Sequence, residues 1–357
     1  DWGKVRPGDE AVWRGIPYFG GVPGRNSSSF CGSPLLSVAW RARIAEYPEF
    51  DDLIRQLDRL DKASGRAGIP AGMPLLVGEK VIARTLRGVA AFDLATGKRL
   101  WECASDTPWE EFLRSSSGIP EQWLPLMEQA LRIRVWWDAT SGGLSSDGQL
   151  VFFVENAGLP ISAGFPILLL RPGGAGNVPG PREVNSLVAC EVETGRRRWE
   201  LRGDKGEDQG DVGKIFFLGP PLPLRNRLYV LGVVPGEVRL FELEAATGRI
   251  SWQIPIAHVE EPIAESVWRR TAGLTPSYGR GILVCPTGVG AIVGVDLLRR
   301  QLAWVTQYSI QPGLRTSGRF VWMESGSFLL GVRAATLAAA APLVAEDRVI
   351  VAPGDGT

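Results

Sequence analysis

An eleven-residue pattern, A-x-D-x-x-T-G-x-x-x-W, recurs along this chain in a constant phase. Four copies occur, at residues 91–101, 189–199, 242–252 and 294–304. The residues that carry the pattern are Ala91, Asp93, Thr96, Gly97, Trp101, Ala189, Glu191, Thr194, Gly195, Trp199, Glu244, Thr247, Gly248, Trp252, Asp296 and Trp304. In the fourth copy Arg299 and Arg300 replace Thr-Gly. Such a repeat predicts a fold built from similar units in series.

Each position of the pattern has a physical reason. The glycine can adopt the positive φ that closes a short hairpin, and the acidic residue can accept hydrogen bonds from the turn amides. The tryptophan offers a large flat face for burial between neighbouring sheets. We therefore predict that Gly97 has a positive φ and that Trp101 is buried between sheets instead of lining a ligand site.

The spacing of the units indicates their size. An apolar run precedes each copy, so each unit is predicted to contain strand, turn, strand, Thr-Gly turn and strand. The tryptophans of the last three copies are 53 and 52 residues apart, which suits one four-stranded propeller blade with its loops. The 98 residues between Trp101 and Trp199 predict an insertion. The predicted fold is all-β, a β-propeller forming a single domain over residues 1–357.

Partial units stand at both ends of the repeats. Residues 342–357 are predicted to open a fifth unit, and the stretch around Trp40 is predicted to be a lone last strand of a blade. A ring whose last blade is shared between the two termini would leave no sheet edge exposed. The alternative is that the sequence is an N-terminal portion of a longer chain with further blades.

The segments between units predict helices and irregular loops. Apolar residues at helical spacing predict an amphipathic helix over about 46–65, and two short helices are predicted within about 107–134. Proline and glycine favour an irregular loop over about 158–182, and another excursion covers about 306–341. The chain is predicted to return to strands from Trp136 onward.

Composition excludes some classes of function. Lys plus Arg and Asp plus Glu both number 39, so no net charge attracts nucleic acid, and no nucleic-acid partner is predicted. The sequence has no apolar run long enough to predict a transmembrane segment. Cys31, Cys103, Cys190 and Cys285 are far apart in sequence and form no CxxC motif, which leaves their pairing open.

The repeat units resemble those of pyrroloquinoline-quinone (PQQ)-type β-propellers, a family shared by quinoprotein alcohol dehydrogenases and the outer-membrane assembly lipoprotein of the β-barrel machinery. Stretches such as "YFGGVPGRNSSS" and "SYGRGILVCPTGVGAIVGVDL" are similar to large propeller proteins of planctomycete-type bacteria. The resemblance implies an extracytoplasmic, periplasmic or cell-surface protein. It also implies either a non-catalytic binding or scaffolding propeller with a protein or saccharide partner, or a PQQ-dependent oxidoreductase or electron-transfer domain.

Quinone-dependent relatives stack their cofactor on a tryptophan and a vicinal disulfide, beside a calcium ion. This sequence has no Cys-Cys pair, and no calcium-and-base set can be assigned in it. We therefore predict no cofactor and no catalytic residues, and keep PQQ with calcium as the alternative. Trp136, Trp137 and Asp138 are the candidates for a cofactor-stacking platform, although strand alternation favours packing as their role.

Two polar clusters are candidates for metal sites. Asp204, Glu207, Asp208 and Asp211 lie in a glycine-rich stretch that could bind calcium, although a hydrated loop is the favoured interpretation. His258, the only histidine, stands near Glu260, Glu261 and Glu265. No nucleophile signature accompanies it, so we predict an exposed histidine in a loop or helix and a solvated acidic face.

Overall fold

The computed structural model describes the repeat units and their nearest connections. The described residues are 15–16, 21–23, 25, 37–65, 70–106, 108–111, 124–158, 182–204, 214–308, 341–345 and 347–351. The loops predicted at about 158–182 and 306–341 lie almost entirely outside them. Within the described ranges, no helix has both the length and the apolar character needed to span a membrane.

Consecutive antiparallel strands form the sheets, each of which follows the chain in order. The first contains β1 (Gly15–Ile16), β2 (Leu75–Val77), β3 (Lys80–Arg84), β4 (Gly88–Asp93) and β5 (Arg99–Ala104). The second contains β6 (Leu144–Ser146), β7 (Leu150–Glu155), β8 (Ser186–Glu191) and β9 (Arg197–Arg202). The third contains β10 (Phe216–Phe217), β11 (Leu222–Leu224), β12 (Arg227–Val234), β13 (Glu237–Glu244) and β14 (Ile250–His258). The fourth contains β15 (Ser277–Gly279), β16 (Ile282–Pro286), β17 (Ala291–Asp296) and β18 (Gln301–Gln307), and a two-stranded sheet follows, with β19 (Leu343–Ala345) and β20 (Arg348–Ile350).

The sheets are arranged as the blades of a propeller. Short strands of successive sheets lie beside one another, β2 beside β6, β6 beside β11, and β15 beside β19. Buried side chains fill the space between successive sheets, with Phe153 between the first and second and Phe241 between the second and third. Leu283 belongs to the cluster between the third and fourth. The predicted all-β fold of four-stranded propeller blades is confirmed.

The repeat turns have the geometry that the pattern predicts. In the first turn the Asp93 carboxylate accepts hydrogen bonds from the backbone N–H of Thr96 at 2.8 Å and from its hydroxyl at 2.6 Å. Gly97 has a φ of 69°, as predicted. The second turn repeats this arrangement, since the Thr194 hydroxyl donates to Glu191 at 2.7 Å and Gly195 also has a φ of 69°.

Trp101 and Trp199 each join their own blade to the turn of the next. Trp101 is 9% exposed, as predicted, and its Nε1 donates to the carbonyl of Val192 at 2.8 Å. Its ring lies so close to Gly195 that a Cβ atom there would be 2.5 Å from the ring. In the following blade, Trp199 donates to the carbonyl of Ala245 at 2.9 Å. The glycines of the second and third turns, Gly195 and Gly248, are therefore required by the tryptophan of the preceding blade as well as by their backbone angle.

The fourth turn has the same backbone conformation as the others, although it contains no glycine at this position. Arg300 stands in the glycine position and has a φ of 55°, in the left-handed region. Its guanidinium lies over the ring of Trp252, 5.7 Å from the centroid. A cation–π contact thus occupies the place where the other blades pack a ring on glycine.

The prediction of a lone strand around Trp40 was wrong, because residues 37–47 form no strand. Trp40 instead stacks on Phe92 with ring centroids 6.4 Å apart and donates from Nε1 to the carbonyl of Leu94 at 2.8 Å. Its ring also packs on Gly97. Among the described residues, no strand pairs with this segment, so only the tryptophan contact of the repeat is kept.

Helices occupy both predicted insertions, with different bounds. Helix α1 (Pro48–Ala63) confirms the first prediction. Helix α2 (Leu124–Trp136) runs two residues beyond the predicted 107–134, and the short helix α3 (Ala139–Gly142) follows it. The strand predicted from Trp136 was therefore wrong. The Asp138 carboxylate accepts from the backbone N–H of Ser141 at 3.0 Å and caps α3, which favours helix over strand there.

The region of His258 also differs from its prediction. His258 is exposed, but it ends strand β14 instead of lying in a loop or helix. Glu265 ends a 3-10 turn (Ile263–Glu265), which leads into helix α4 (Val267–Thr271). Glu261 is not simply solvated, because it accepts a 3.0 Å hydrogen bond from the buried Arg269.

Acid is expected to destabilise the protein through the repeat turns, because hydrogen bonds there lower the pKa of the four turn carboxylates. The donor with the largest effect on the pKa is the Thr96 side chain for Asp93, Arg196 for Glu191, Arg249 for Glu244 and the Arg299 backbone for Asp296. A folded-state pKa below the unfolded value gives stability that is present above the unfolded pKa of about 4 and is lost as the pH falls through the folded pKa. We expect the melting temperature to fall between about pH 5 and pH 3. In a variant with all four carboxylates changed to amides, the fall should be smaller, and an unchanged fall would contradict this explanation.

Candidate functional site

A cavity of about 530 Å³ lies between helices α1 and α2 and the loops of the first two blades. Its apolar wall includes Leu86, Trp109 and Trp136. Its polar wall includes Arg84, from the end of β3, and Glu155, from the end of β7. We call this space the helix-covered cavity.

An ion pair between the two blades forms one side of the helix-covered cavity. The Nη1 atom of Arg84 lies 2.8 Å from Oε1 of Glu155, whose side chain is almost fully buried. Arg84 also donates from Nη2 to the carbonyl of Val154 at 3.2 Å. Ser105 donates its hydroxyl hydrogen to Oε2 of Glu155 at 2.7 Å. Both oxygens of the Glu155 carboxylate therefore already have a partner, Arg84 for Oε1 and Ser105 for Oε2.

A second ion pair, between Arg134 and Asp138, also lies at the helix-covered cavity. The Nη1 atom of Arg134 lies 2.5 Å from Oδ2 of Asp138, and its Nη2 donates to the carbonyl of Gly158 at 2.8 Å. The guanidinium lies over the ring of Trp109, 4.7 Å from its centroid. Burial lowers the pKa of Arg134, and Asp138 opposes that effect. The Nε atom of Arg134 is buried and makes no hydrogen bond to a described residue.

Two further arginines add positive charge. Arg182 lines the cavity, is half-buried, and has no carboxylate within ion-pair distance among the described residues. Arg270 is buried behind the wall, where its Nη2 donates to the carbonyl of Ala157 at 2.6 Å. Burial lowers the pKa of Arg270 to about 10, so it stays charged at neutral pH.

The charges in and behind the wall do not cancel. Among the described residues, the wall carries three arginines, Arg84, Arg134 and Arg182, and two carboxylates accompany them, Glu155 in the wall and Asp138 behind it. The remaining lining charges, Arg55 and Asp58, are each neutralised within helix α1 by Asp51 and Lys62. The surplus is positive. Guanidinium groups donate hydrogen bonds and do not act as bases at neutral pH, so the arrangement suits binding of an anion.

The residues proposed as a cofactor platform are placed at this cavity in different ways. Trp136 lines it, and Asp138 holds Arg134 from behind. Trp137 is 9% exposed and packs in the apolar cluster beneath the helices. Trp136 is the last residue of α2 and Trp137 follows it, and their role as a stacking platform stays a prediction.

Sequence reasoning missed Arg84, Arg134 and Glu155. Arg84 and Glu155 each end an apolar strand run, at β3 and β7. Charged residues of opposite sign at the ends of the same strand in two adjacent blades are a signal that could have paired them. No such signal existed for Arg134, because its helix was predicted to end at that residue.

The calcium candidates are placed only in part. Asp204 follows strand β9, and Glu207, Asp208 and Asp211 lie outside the described residues. Over the described ranges, no group of three or more His, Cys, Asp or Glu side chains could hold a metal ion.

A family model described as "Outer membrane protein assembly factor BamB" matches residues 87–321, which contain all four repeat copies. The chain belongs to this family of PQQ-like propeller repeat proteins. Membership in the PQQ-like family agrees with the resemblance carried by the repeats. A search among curated proteins finds no match.

Solved structures of PQQ-like propellers are similar to this chain at low identity. BamB from Moraxella catarrhalis is 14% identical over 68% of this chain and 54% of that chain, with a TM-score of 0.38. The quinohemoprotein alcohol dehydrogenase from Comamonas testosteroni is 12% identical over 82% of this chain and 41% of that chain, with a TM-score of 0.46. This chain thus spans about half, or less, of those structures.

The quinone and calcium of the dehydrogenases in this family do not fit the helix-covered cavity. The sequence has no pair of consecutive cysteines on which a quinone could stack. The carboxylates at the cavity, Glu155 and Asp138, are both held by arginines, whose positive charge opposes a calcium ion. The side chains present there favour an anion over a cation.

Proposed function

We propose that this chain is a non-catalytic binding propeller that holds a protein partner in an extracytoplasmic compartment. The observation that carries the proposal is the surplus of arginine around an open cavity between two blades and two helices. The family description, an outer membrane protein assembly factor, supports both a protein partner and a location outside the cytoplasm.

The cavity favours an acidic segment of the partner. Arg182 lines the wall and has no carboxylate within ion-pair distance among the described residues. The buried Nε–H of Arg134 donates a hydrogen bond to no described residue. A carboxylate entering the cavity would accept from these donors in a charge-assisted hydrogen bond. The apolar wall, with Trp109 and Leu86, would cover the aliphatic part of the same side chain. A neutral saccharide carries no charge that could pair with the surplus arginine, so the cavity favours an acidic segment over a saccharide.

A charge reversal at Arg182 tests this proposal. The probe is a fluorescently labelled poly-glutamate peptide, with poly-glutamine as the neutral comparison, measured by fluorescence anisotropy. We expect Arg182→Glu to weaken binding of poly-glutamate by about tenfold or more, because one attractive charge becomes repulsive. Binding should also weaken as salt rises.

The matched control is Arg348→Glu, which reverses an exposed arginine of β20 in the last sheet. It changes the net charge equally and should leave binding unchanged. Equal affinity of the wild type and Arg182→Glu, or equal binding of both peptides, would contradict the proposed site. A stoichiometric quinone spectrum after reconstitution with PQQ and calcium would instead overturn the non-catalytic assignment.

A further inference from the structure

Two cysteines from different blades meet in the core between the first and second sheets. Cys103 lies on β5, the last strand of the first blade, and Cys190 lies on β8, the third strand of the second. Their exposed fractions are 6% and 0%, and both belong to the same buried cluster. Nothing in the proposed binding function uses them.

Contacts on both sides of the cysteines hold the two strands together. On one side Trp101, two residues before Cys103, donates from Nε1 at 2.8 Å to the carbonyl of Val192, two residues after Cys190. Between this contact and the next, the Cys103 and Cys190 side chains are within hydrogen-bond reach of each other.

On the other side Arg197 makes the corresponding contact. It lies opposite Cys190 in the pairing of β8 with β9, and its Nη2 donates at 2.9 Å to the carbonyl of Ala104, the neighbour of Cys103. The pair is thus enclosed by two inter-blade hydrogen bonds. The blades cannot slide past each other at this point without breaking one of them.

The two thiols differ in acidity. Interaction with the Cys190 thiol lowers the pKa of Cys103, and Arg197 acts in the same direction, whereas the pKa of Cys190 is raised by the Cys103 thiol and by burial. Cys285 is different, since burial raises its pKa and no described cysteine accompanies it. Cys31 lies outside the described residues.

We propose that Cys103 and Cys190 form a disulfide that links the first blade to the second. The oxidant is a disulfide donor of the thiol–disulfide exchange class, which extracytoplasmic compartments supply. Since both thiols are buried in the folded protein, the exchange takes place before the two blades have closed on each other.

The exchange balances in two steps. The thiolate of one of the two cysteines attacks one sulfur of the donor disulfide, forms a mixed disulfide and releases one donor thiolate. The other cysteine, once deprotonated, then attacks the sulfur of the first cysteine and releases the second donor thiolate. In sum, two cysteine thiols lose two protons and two electrons, and the donor disulfide gains them.

Refolding under defined redox conditions tests the disulfide. The full chain is reduced and unfolded, then refolded with oxidised and reduced glutathione, or with dithiothreitol alone, and free thiols are alkylated after renewed unfolding. Non-reducing peptide mapping by mass spectrometry should find the peptides of Cys103 and Cys190 joined only after refolding with glutathione. Cys285 should be alkylated in both samples. The oxidised protein should melt several degrees above the reduced one, because the cross-link restricts the unfolded chain.

Single substitutions provide the controls. Cys285→Ser should keep both the joined peptides and the difference in melting temperature, whereas Cys103→Ser and Cys190→Ser should abolish both. Should a serine variant not fold, the peptide map of the wild type still decides. Free, alkylatable Cys103 and Cys190 after oxidative refolding, or a link from either of them to Cys31, would overturn the proposal.

Discussion

Gly195→Ala is expected to lower the free energy of unfolding by about 2–5 kcal/mol. Two effects add. Alanine in the left-handed region that Gly195 occupies, with a φ of 69°, costs about 1–2 kcal/mol. The new Cβ would also stand 2.5 Å from the Trp101 ring, and such overpacking costs about 1–3 kcal/mol. Equilibrium unfolding in urea, followed by tryptophan fluorescence, measures the loss.

Gly78→Ala separates the two effects. Gly78 lies in the hairpin between β2 and β3 and has a φ of 59°. A Cβ atom there would meet no atom within 4 Å. Gly78→Ala should lose only the backbone part, about 1–2 kcal/mol. Equal losses for Gly78→Ala and Gly195→Ala would show that the ring contact contributes nothing. The same comparison applies to Gly248, whose Cβ would be 2.6 Å from the Trp199 ring.

The fourth blade shows what the turn does and does not require. There Arg300 adopts the left-handed conformation without being glycine, and its guanidinium lies over the Trp252 ring. The turns of the second, third and fourth blades therefore share a contact with the face of the tryptophan ring of the preceding blade. A copy that looks degraded in sequence can keep this contact by different chemistry.

The blades were predictable from sequence because their signals are local. Strand alternation and the Thr-Gly turn each depend on residues a few positions apart, and the fourth copy was found although its Thr-Gly was lost. The first strand of the third blade was not predicted in detail. It is split into β10 and β11, which both pair with β12. The break contains Gly219, Pro220 and Pro221, and proline has no N–H to donate to the sheet, so this signal was present in the local sequence.

The errors arise where contacts between distant parts of the chain decide the structure. Trp40 was assigned to a strand because the sequence around it looks like the last strand of a blade, yet a strand needs a partner for its backbone hydrogen bonds. Trp136 was assigned to a strand because helix α2 was expected to end earlier. The helix-covered cavity was missed because Arg84 and Arg134 meet only through the packing of the insertion on the first blade.

Trp101→Ala is expected to be among the most destabilising single substitutions, with a loss of about 3–5 kcal/mol. The side chain is 9% exposed and fills the space over Gly195, and its indole donates to the Val192 carbonyl. Removing it leaves a cavity between the first two blades and an unsatisfied acceptor. Urea unfolding under the conditions used for Gly195→Ala measures the loss.

Trp304→Ala is the matched control, because Trp304 holds the same position in the fourth blade. It packs on Gly294 of its own sheet and is half-buried, and its strand neighbours Leu302 and Val305 are exposed. Among the described residues, the sheet that follows it consists of β19 and β20 alone, without a repeat turn. Its loss should cost about 1 kcal/mol, as for a partly exposed side chain. If both substitutions cost the same, the stability of the propeller does not reside in the contact between a tryptophan and the next turn, and burial within each blade must account for it.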